Sequence, residues 1–191
     1  MSTFSFEIEG SYRAQVRPVP PTYIELQRQF TKLDRMYKQA SFEPFKGCAI
    51  QYSSEEEIEL TFRFLRVTCG KPTLKRVRAA MWSNGLRPTL LSDVVGFDRA
   101  YPAMHRDDPI VSVGSRTKVS YRINSEFDPQ LLTIARESAC KQFEEAVLAA
   151  AAPRYYLCVP CLYGGGHTRG LRLLTQDNDW GHATFLAAVV P

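Results

Sequence analysis

Cysteine and histidine are the residue types in this chain with the most chemistry to offer. Five cysteines are present, and among them only Cys158-Val159-Pro160-Cys161 has a suggestive spacing. A redox dithiol of this spacing should open a helix, whose N-terminus lowers the thiol pKa. Here the flanking residues, Tyr155-Tyr156-Leu157 and Leu162-Tyr163, read as strand instead. Zinc is a second possibility, with Cys158 and Cys161 joined by His167 and His182 to make two thiolates and two imidazoles. A flat strand sends residues three apart to opposite faces, which works against one metal seeing both sulfurs. Buried structural cysteine is the preferred reading, with no cofactor and no metal expected.

Catalytic strings are equally thin. His105, His167 and His182 are the three histidines, and no serine or cysteine sits in a nucleophile elbow. His105-Arg106-Asp107-Asp108 lies in a loop without the companions a kinase would need. Gly164-Gly165-Gly166 leads into a further strand, so it reads as a hairpin turn and not a phosphate cradle. Asp177-Asn178-Asp179 offers oxygens for calcium but shows no partner loop.

The residues suited to recognition collect near the C-terminal end. Tyr163, His167, Arg169, Arg172, Asp177, Asn178, Trp180 and His182 mix aromatic anchors with polar adaptors on loops and alternating strand positions. For each singly the plainer account is structural: Trp180 as core, the histidines as turn residues.

These residues must be positioned by elements the pattern predicts. Residues 4–8 alternate as a strand, and Arg17-Pro18-Val19-Pro20-Pro21 makes a stiff extended linker. Thr22 caps a helix expected to run to about Ala40, with Ile24, Leu26, Phe30, Leu33 and Tyr37 as its apolar stripe. Residues 58–67 show period two, with Ile58, Leu60, Phe62 and Phe64 on one face. Two short helices follow, one from Pro72 or Thr73 to Asn84-Gly85 and one opened by Arg87-Pro88-Thr89 and closed by Tyr101-Pro102. Lys75, Arg76, Arg78 and Arg87 invite a helix-turn-helix reading, but Asp93 and Asp98 occupy the helix that would read bases. The basic cluster is read as a solvated face.

Residues 109–115 predict a buried strand and 118–123 another; Asp128-Pro129 opens a long helix to about Ala151. Three strands then close the chain, at 155–163, 170–174 and 180–190.

In order, Gly85-Leu86-Arg87-Pro88, Pro109-Ile110-Val111-Ser112-Val113-Gly114-Ser115, Val159-Pro160-Cys161-Leu162, Arg169-Gly170-Leu171-Arg172-Leu173, Trp180 and Phe185-Leu186-Ala187-Ala188-Val189 resemble a family of uncharacterised bacterial proteins from candidate-phylum lineages. The resemblance spans about residues 22 to 191. The family's Thr-x-x-Glu cap is replaced by Leu90 and Asp93, and the long 128–151 helix is an insertion. More distantly the order is similar to C-type-lectin-like domains, including formylglycine-generating enzymes. That likeness implies an α+β, C-type-lectin-like mixed domain with two short helices, C-terminal antiparallel strands and the inserted helix. The division expected is 1–50 for strand, proline linker and helix, and 51–191 for the lectin-like domain.

Composition narrows the function classes. The 191 residues carry 24 Lys+Arg against 20 Asp+Glu, a net charge of +4, too mild to announce nucleic acid or anionic lipid. No apolar run approaches the ~20 residues of a membrane span, and the first nine residues do not resemble a signal peptide. An odd cysteine count without an export signal points to a reducing, cytoplasmic setting. The expected function is non-catalytic: a ligand or partner protein bound on the C-terminal strands and loops. A structural or assembly subunit that self-associates is the alternative, suited by the stiff arm at 11–21 and the apolar 187–191. An enzyme or metal protein using Cys158 and Cys161 comes third.

Overall fold

The structure is a computed structural model; it describes residues 4–45, 48, 56–104, 108–121, 154–165, 168–175, 180 and 183–190. It divides into one unit of Met1–Thr117 with Leu157–Pro191 and a second of Lys118–Tyr156. The inserted helix expected at 128–151 falls in the second unit and lies outside the described residues.

In chain order the described elements are β1 (Ser5–Val16), α1 (Tyr23–Gln29), β2 (Lys32–Leu33), a 3-10 turn (Arg35–Lys38), β3 (Glu43–Pro44), β4 (Ile58–Cys69) and α2 (Leu74–Ser83). They continue as β5 (Leu86–Pro88), α3 (Leu91–Ala100), β6 (Ile110–Val111), β7 (Ser115–Tyr121), β8 (Arg154–Gly165), β9 (Thr168–Thr175) and β10 (Thr184–Val189). The chain is thus mixed α/β, three described helices against a large, mostly antiparallel sheet.

At the centre lies β10, antiparallel to β4 on one edge and paired on the other with β6 in parallel and β5 antiparallel. Both of its faces are covered, which is why Phe185-Leu186-Ala187-Ala188 is one continuous apolar run and not an alternation. Successive side chains feed two cores. Leu186 and Ala188 join Leu60, Phe62, Phe64, Leu162 and Leu171 under α1 and α3. Phe185 and Ala187 join Leu65, Val111, Val159 and Cys161 over α2, which contributes Val77, Ala80 and Met81.

Phe97 of α3 anchors the first core, edge-on to Phe62 at 5.5 Å and to Phe64 at 5.6 Å. Full burial of such a ring is worth about 1.5–3 kcal/mol. The outer strand β1 pairs with β4, and the Tyr101 hydroxyl accepts the Arg13 N–H at 3.2 Å and donates to the Arg13 carbonyl at 2.9 Å. One side chain thereby satisfies two backbone groups that the strand turns outward.

Several expectations need correction. The first strand, expected over 4–8, extends to Val16, so residues 11–16 of the arm counted at 11–21 belong to the sheet, while the linker starts at Arg17 as expected. The helix expected to reach Ala40 stops at Gln29. Its start is secured by a Thr22–Glu25 capping box, but Phe30 is already extended. Beyond it, Lys32 and Leu33 add to β9 in parallel, and that tertiary pairing outweighs helix propensity. Leu26, Phe30 and Tyr37 of the anticipated stripe are buried all the same, while Ile24 is 60% exposed.

Arg87-Pro88 does not open a helix. It lies in β5, where Pro88 faces Ala187 and Arg87 faces Ala188 of β10. The helix begins at Leu91. Leu90 has no side-chain acceptor, so Asp93 takes the Leu90 N–H at 2.7 Å and the Ser115 hydroxyl takes the Leu91 N–H at 2.9 Å. Thr89 instead donates its hydroxyl to the Leu186 carbonyl. Arg87 is also no part of a solvated basic face, being 1% exposed and paired with Asp93.

Candidate functional site

The residues singled out for recognition are separated by the pleat of β9. Arg169 shares a face with Leu171 and Leu173, which join the core under α1 and α3. Gly170 and Arg172 point to the other face with Leu174. There Tyr163, directly across from Gly170, lies so close over it that an added Cβ would sit 2.6 Å from the ring. The Arg172 guanidinium stands 5.0 Å from the same ring centre. Tyr163 and Arg172 therefore form one cation–π pair, and Arg169 belongs to a different site.

Trp180 is not part of an outward face. It is 2% exposed and packs against Phe185 with ring centres 5.8 Å apart, so the structural account applies to it. His167, Asp177, Asn178 and His182 lie outside the described residues.

Cys158 and Cys161 are buried and form no disulfide. Cys161 packs in the α2-side core, and burial pushes its thiol up to about 11. Burial and then the Asp34 carboxylate raise Cys158 as well. Both shifts favour the protonated thiol over the thiolate that metal binding and redox exchange require. Among the described residues no three His, Cys, Asp or Glu side chains converge as a metal site.

Arg169 opens onto a cleft of about 550 Å³. Its walls come from three stretches of chain: the segment after β1 with Arg17 and the Val19-Pro20-Pro21 run, α1 with Glu25, Arg28 and Gln29, and α3 with Ser92, Val95, Gly96 and Arg99. The proline run is extended because proline fixes φ and has no N–H to offer a helix. Close approach of α3 to β1 depends on Gly96: a Cβ there would stand 2.8 Å from the Gln15 carbonyl oxygen and 2.8 Å from Val16 Cγ2.

Four guanidiniums line this cleft, each held differently. Arg169 donates through Nη2 to Asp98 Oδ2, whose carboxylate is fully buried while the arginine side chain is 30% exposed. The same oxygen accepts Gln29 Nε2 at 2.8 Å, and that amide also donates to the Val95 carbonyl. The Thr31 hydroxyl secures the Arg169 backbone, accepting its N–H and donating to its carbonyl, both at 2.9 Å. Main chain and side chain of Arg169 are therefore both fixed. Arg17 reaches Glu25 at 3.5 Å and Arg99 reaches Glu57 at 3.1 Å; both pairs are about half exposed. Arg28 makes no ion pair among the described residues.

Such a site can hold an anion but is poorly equipped to move a proton. Guanidiniums do not deprotonate in proteins. Hydrogen bonds from the Thr22 backbone and hydroxyl hold the Glu25 carboxyl below its ordinary value, which makes it a weak base.

Arg169 is the member of this cleft that sequence reasoning reaches. Arg17 reads from sequence as part of the linker and Arg99 as a charge on a short helix; the density of arginine on both sides of the proline run could flag Arg17 and Arg28, and nothing local flags Arg99. No helix among the described residues is long and apolar enough to cross a membrane. Comparison with protein-family models, curated proteins and solved structures gave no match.

Proposed function

We propose that this chain is a non-catalytic recognition protein that takes a small anionic ligand in the arginine cleft. The observation that carries the reading is Arg169: a half-open guanidinium locked in place by a buried carboxylate and a threonine clamp, facing a concave space with three further arginines. Preorganised donors of this kind lose little freedom on binding, which is what gives a cleft affinity. For the lectin-like relationship, the pairing of Arg87 and Pro88 with β10 brings that turn beside the closing strand, but the two residues lie in a strand and not at the helix start that the likeness implies.

A thermal-shift and calorimetric titration with octanoate and with inorganic phosphate tests the reading. At least one of these probes should bind saturably to the intact chain, and Arg28→Ala, an exposed change, should weaken it about tenfold or more. Absence of binding by both probes, or binding indifferent to Arg28→Ala and Arg17→Ala, would overturn the assignment.

The Tyr163–Arg172 pair favours a second reading, docking of a partner chain on the opposite face of the sheet. An arginine already stacked on a half-buried tyrosine is the sort of rigid anchor that interfaces use.

A further inference from the structure

Resting on the assignment of the cleft as a binding site, we infer that its ligand is an organic monocarboxylate with an apolar body, such as a medium-chain aliphatic acid, and not a phosphorylated or polyphosphate molecule. Charge balance is the first ground. Among the described residues, Arg17, Arg99 and Arg169 are held by Glu25, Glu57 and Asp98 while Arg28 has no ion pair, so four guanidiniums meet three carboxylates and one positive charge is left over. One carboxylate cancels it. A phosphate dianion or a pyrophosphate carries more charge than that surplus and would leave excess negative charge in the cleft.

The surplus charge also has an address. Arg28 is the guanidinium without an ion pair among the described residues, and it projects from the same helix as Gln29, which is tied to Asp98. Arg28 and the exposed part of Arg169 both line the cleft, and a guanidinium favours a carboxylate through two parallel N–H donors. The exposed Arg17–Glu25 pair is weak enough to open and let Arg17 follow.

The second ground is the rest of the lining. Val19, Pro20, Pro21 and Val95 form an apolar wall, and Val19 is 38% exposed without a cover. A volume near 550 Å³ exceeds what a bare inorganic anion fills and suits a chain of several carbons beside the charged end. Proline and valine side chains offer a ligand no hydrogen bonds, so they select for an apolar body and reject a sugar or a nucleoside.

The test is a titration series on the intact protein with butanoate, hexanoate, octanoate and decanoate, alongside octanol, octyl phosphate, inorganic phosphate and pyrophosphate. Affinity should rise about two- to fourfold per added methylene until the wall is covered. Octanoate should bind at least tenfold more tightly than octyl phosphate, and Arg28→Ala should abolish the preference for the acid over octanol. Val19→Ser should flatten the chain-length dependence, weakening decanoate and octanoate more than butanoate. If phosphate, pyrophosphate or octyl phosphate binds more tightly than octanoate in an Arg28-dependent manner, the cleft is an anion site and the carboxylate assignment is wrong. If no probe binds, the cleft assignment itself fails.

Discussion

Arg87 of β5 and Asp93 of α3 form a buried, two-point ion pair, with Nη1 to Oδ2 at 2.5 Å and Nη2 to Oδ1 at 3.1 Å. Their side chains are 2% and 0% exposed. The Asp93 carboxylate also accepts the Leu90 N–H, so one group neutralises a buried guanidinium and caps the start of α3. The strand that pairs with β10 and the helix that walls the cleft are thereby joined through a single carboxylate.

Removing that carboxylate strands a buried positive charge and leaves a helix start uncapped. Asp93→Ala is expected to cost about 3–5 kcal/mol, a large share of the ~5–15 kcal/mol that holds an ordinary domain. Arg87→Met strands the Asp93 carboxylate in turn, but it should cost less, because an aspartate can take up a proton where an arginine cannot lose one and the carboxyl keeps the Leu90 N–H. Urea denaturation of both variants measures this directly. Equal and small losses would show that the pair contributes little.

Close backbone approach sets a second expectation. A Cβ added to Gly114 would collide with the Thr89 carbonyl oxygen and lie 2.7 Å from that of Pro88, both main-chain atoms that cannot rotate away. The Gly114 N–H donates to that same Thr89 oxygen at 2.9 Å. Gly114→Ala should therefore cost about 2–3 kcal/mol or more. Gly85 differs in kind: its φ is +67° and nothing lies within 4 Å of where a methyl would stand, so Gly85→Ala carries only the left-handed penalty of about 1–2 kcal/mol. The measurement is again the denaturation midpoint, and a loss at position 85 matching or exceeding that at 114 would contradict the contact geometry.

These pairs show which features the amino-acid order makes legible. The strand expected at 58–67 can be read because polar residues alternate with its buried Leu60, Phe62 and Phe64, and the one expected at 180–190, found over Thr184–Val189, because burial on both faces makes an unbroken apolar run. The turn at Asn84-Gly85 can be read because positive φ selects glycine. Arg87 reads as solvated because charge alone does not disclose a partner; Asp93 lies six residues on, across a strand-to-helix turn. The pattern carries α1 too far because Lys32 and Leu33 are claimed by β9, some 140 residues away in sequence, and no local pattern encodes that. The cleft is hidden for the same reason. Its arginines come from separate stretches, and only Arg169 lies among the residues that the pattern marks for recognition. The alternation of strand side chains does carry the signal that Arg169 and Arg172 face opposite ways.

A pH dependence follows from Cys161. Its thiol is pushed up to about 11 by burial, against a partial opposing pull from Arg172. In the unfolded chain the thiol ionises near its ordinary value, so at high pH the unfolded state has released a proton that the folded state still holds. The stability contributed by the protonated thiol is therefore complete below the ordinary thiol pKa and is lost progressively as pH rises from there towards 11. For a shift of this size the loss amounts to something on the order of 2 kcal/mol. Urea midpoints recorded between neutral pH and pH 10.5 should fall in the intact chain, and the slope should be shallower in Cys161→Ala, whose absolute stability is lower because it leaves a small cavity. Neutral-pH labelling with a maleimide gives an independent check: exposed Cys69 should react rapidly while Cys158 and Cys161 react only on unfolding. Rapid labelling of Cys161 in the folded protein, or an unchanged alkaline slope in Cys161→Ala, would mean that the thiol is neither buried nor held protonated by the α2-side core.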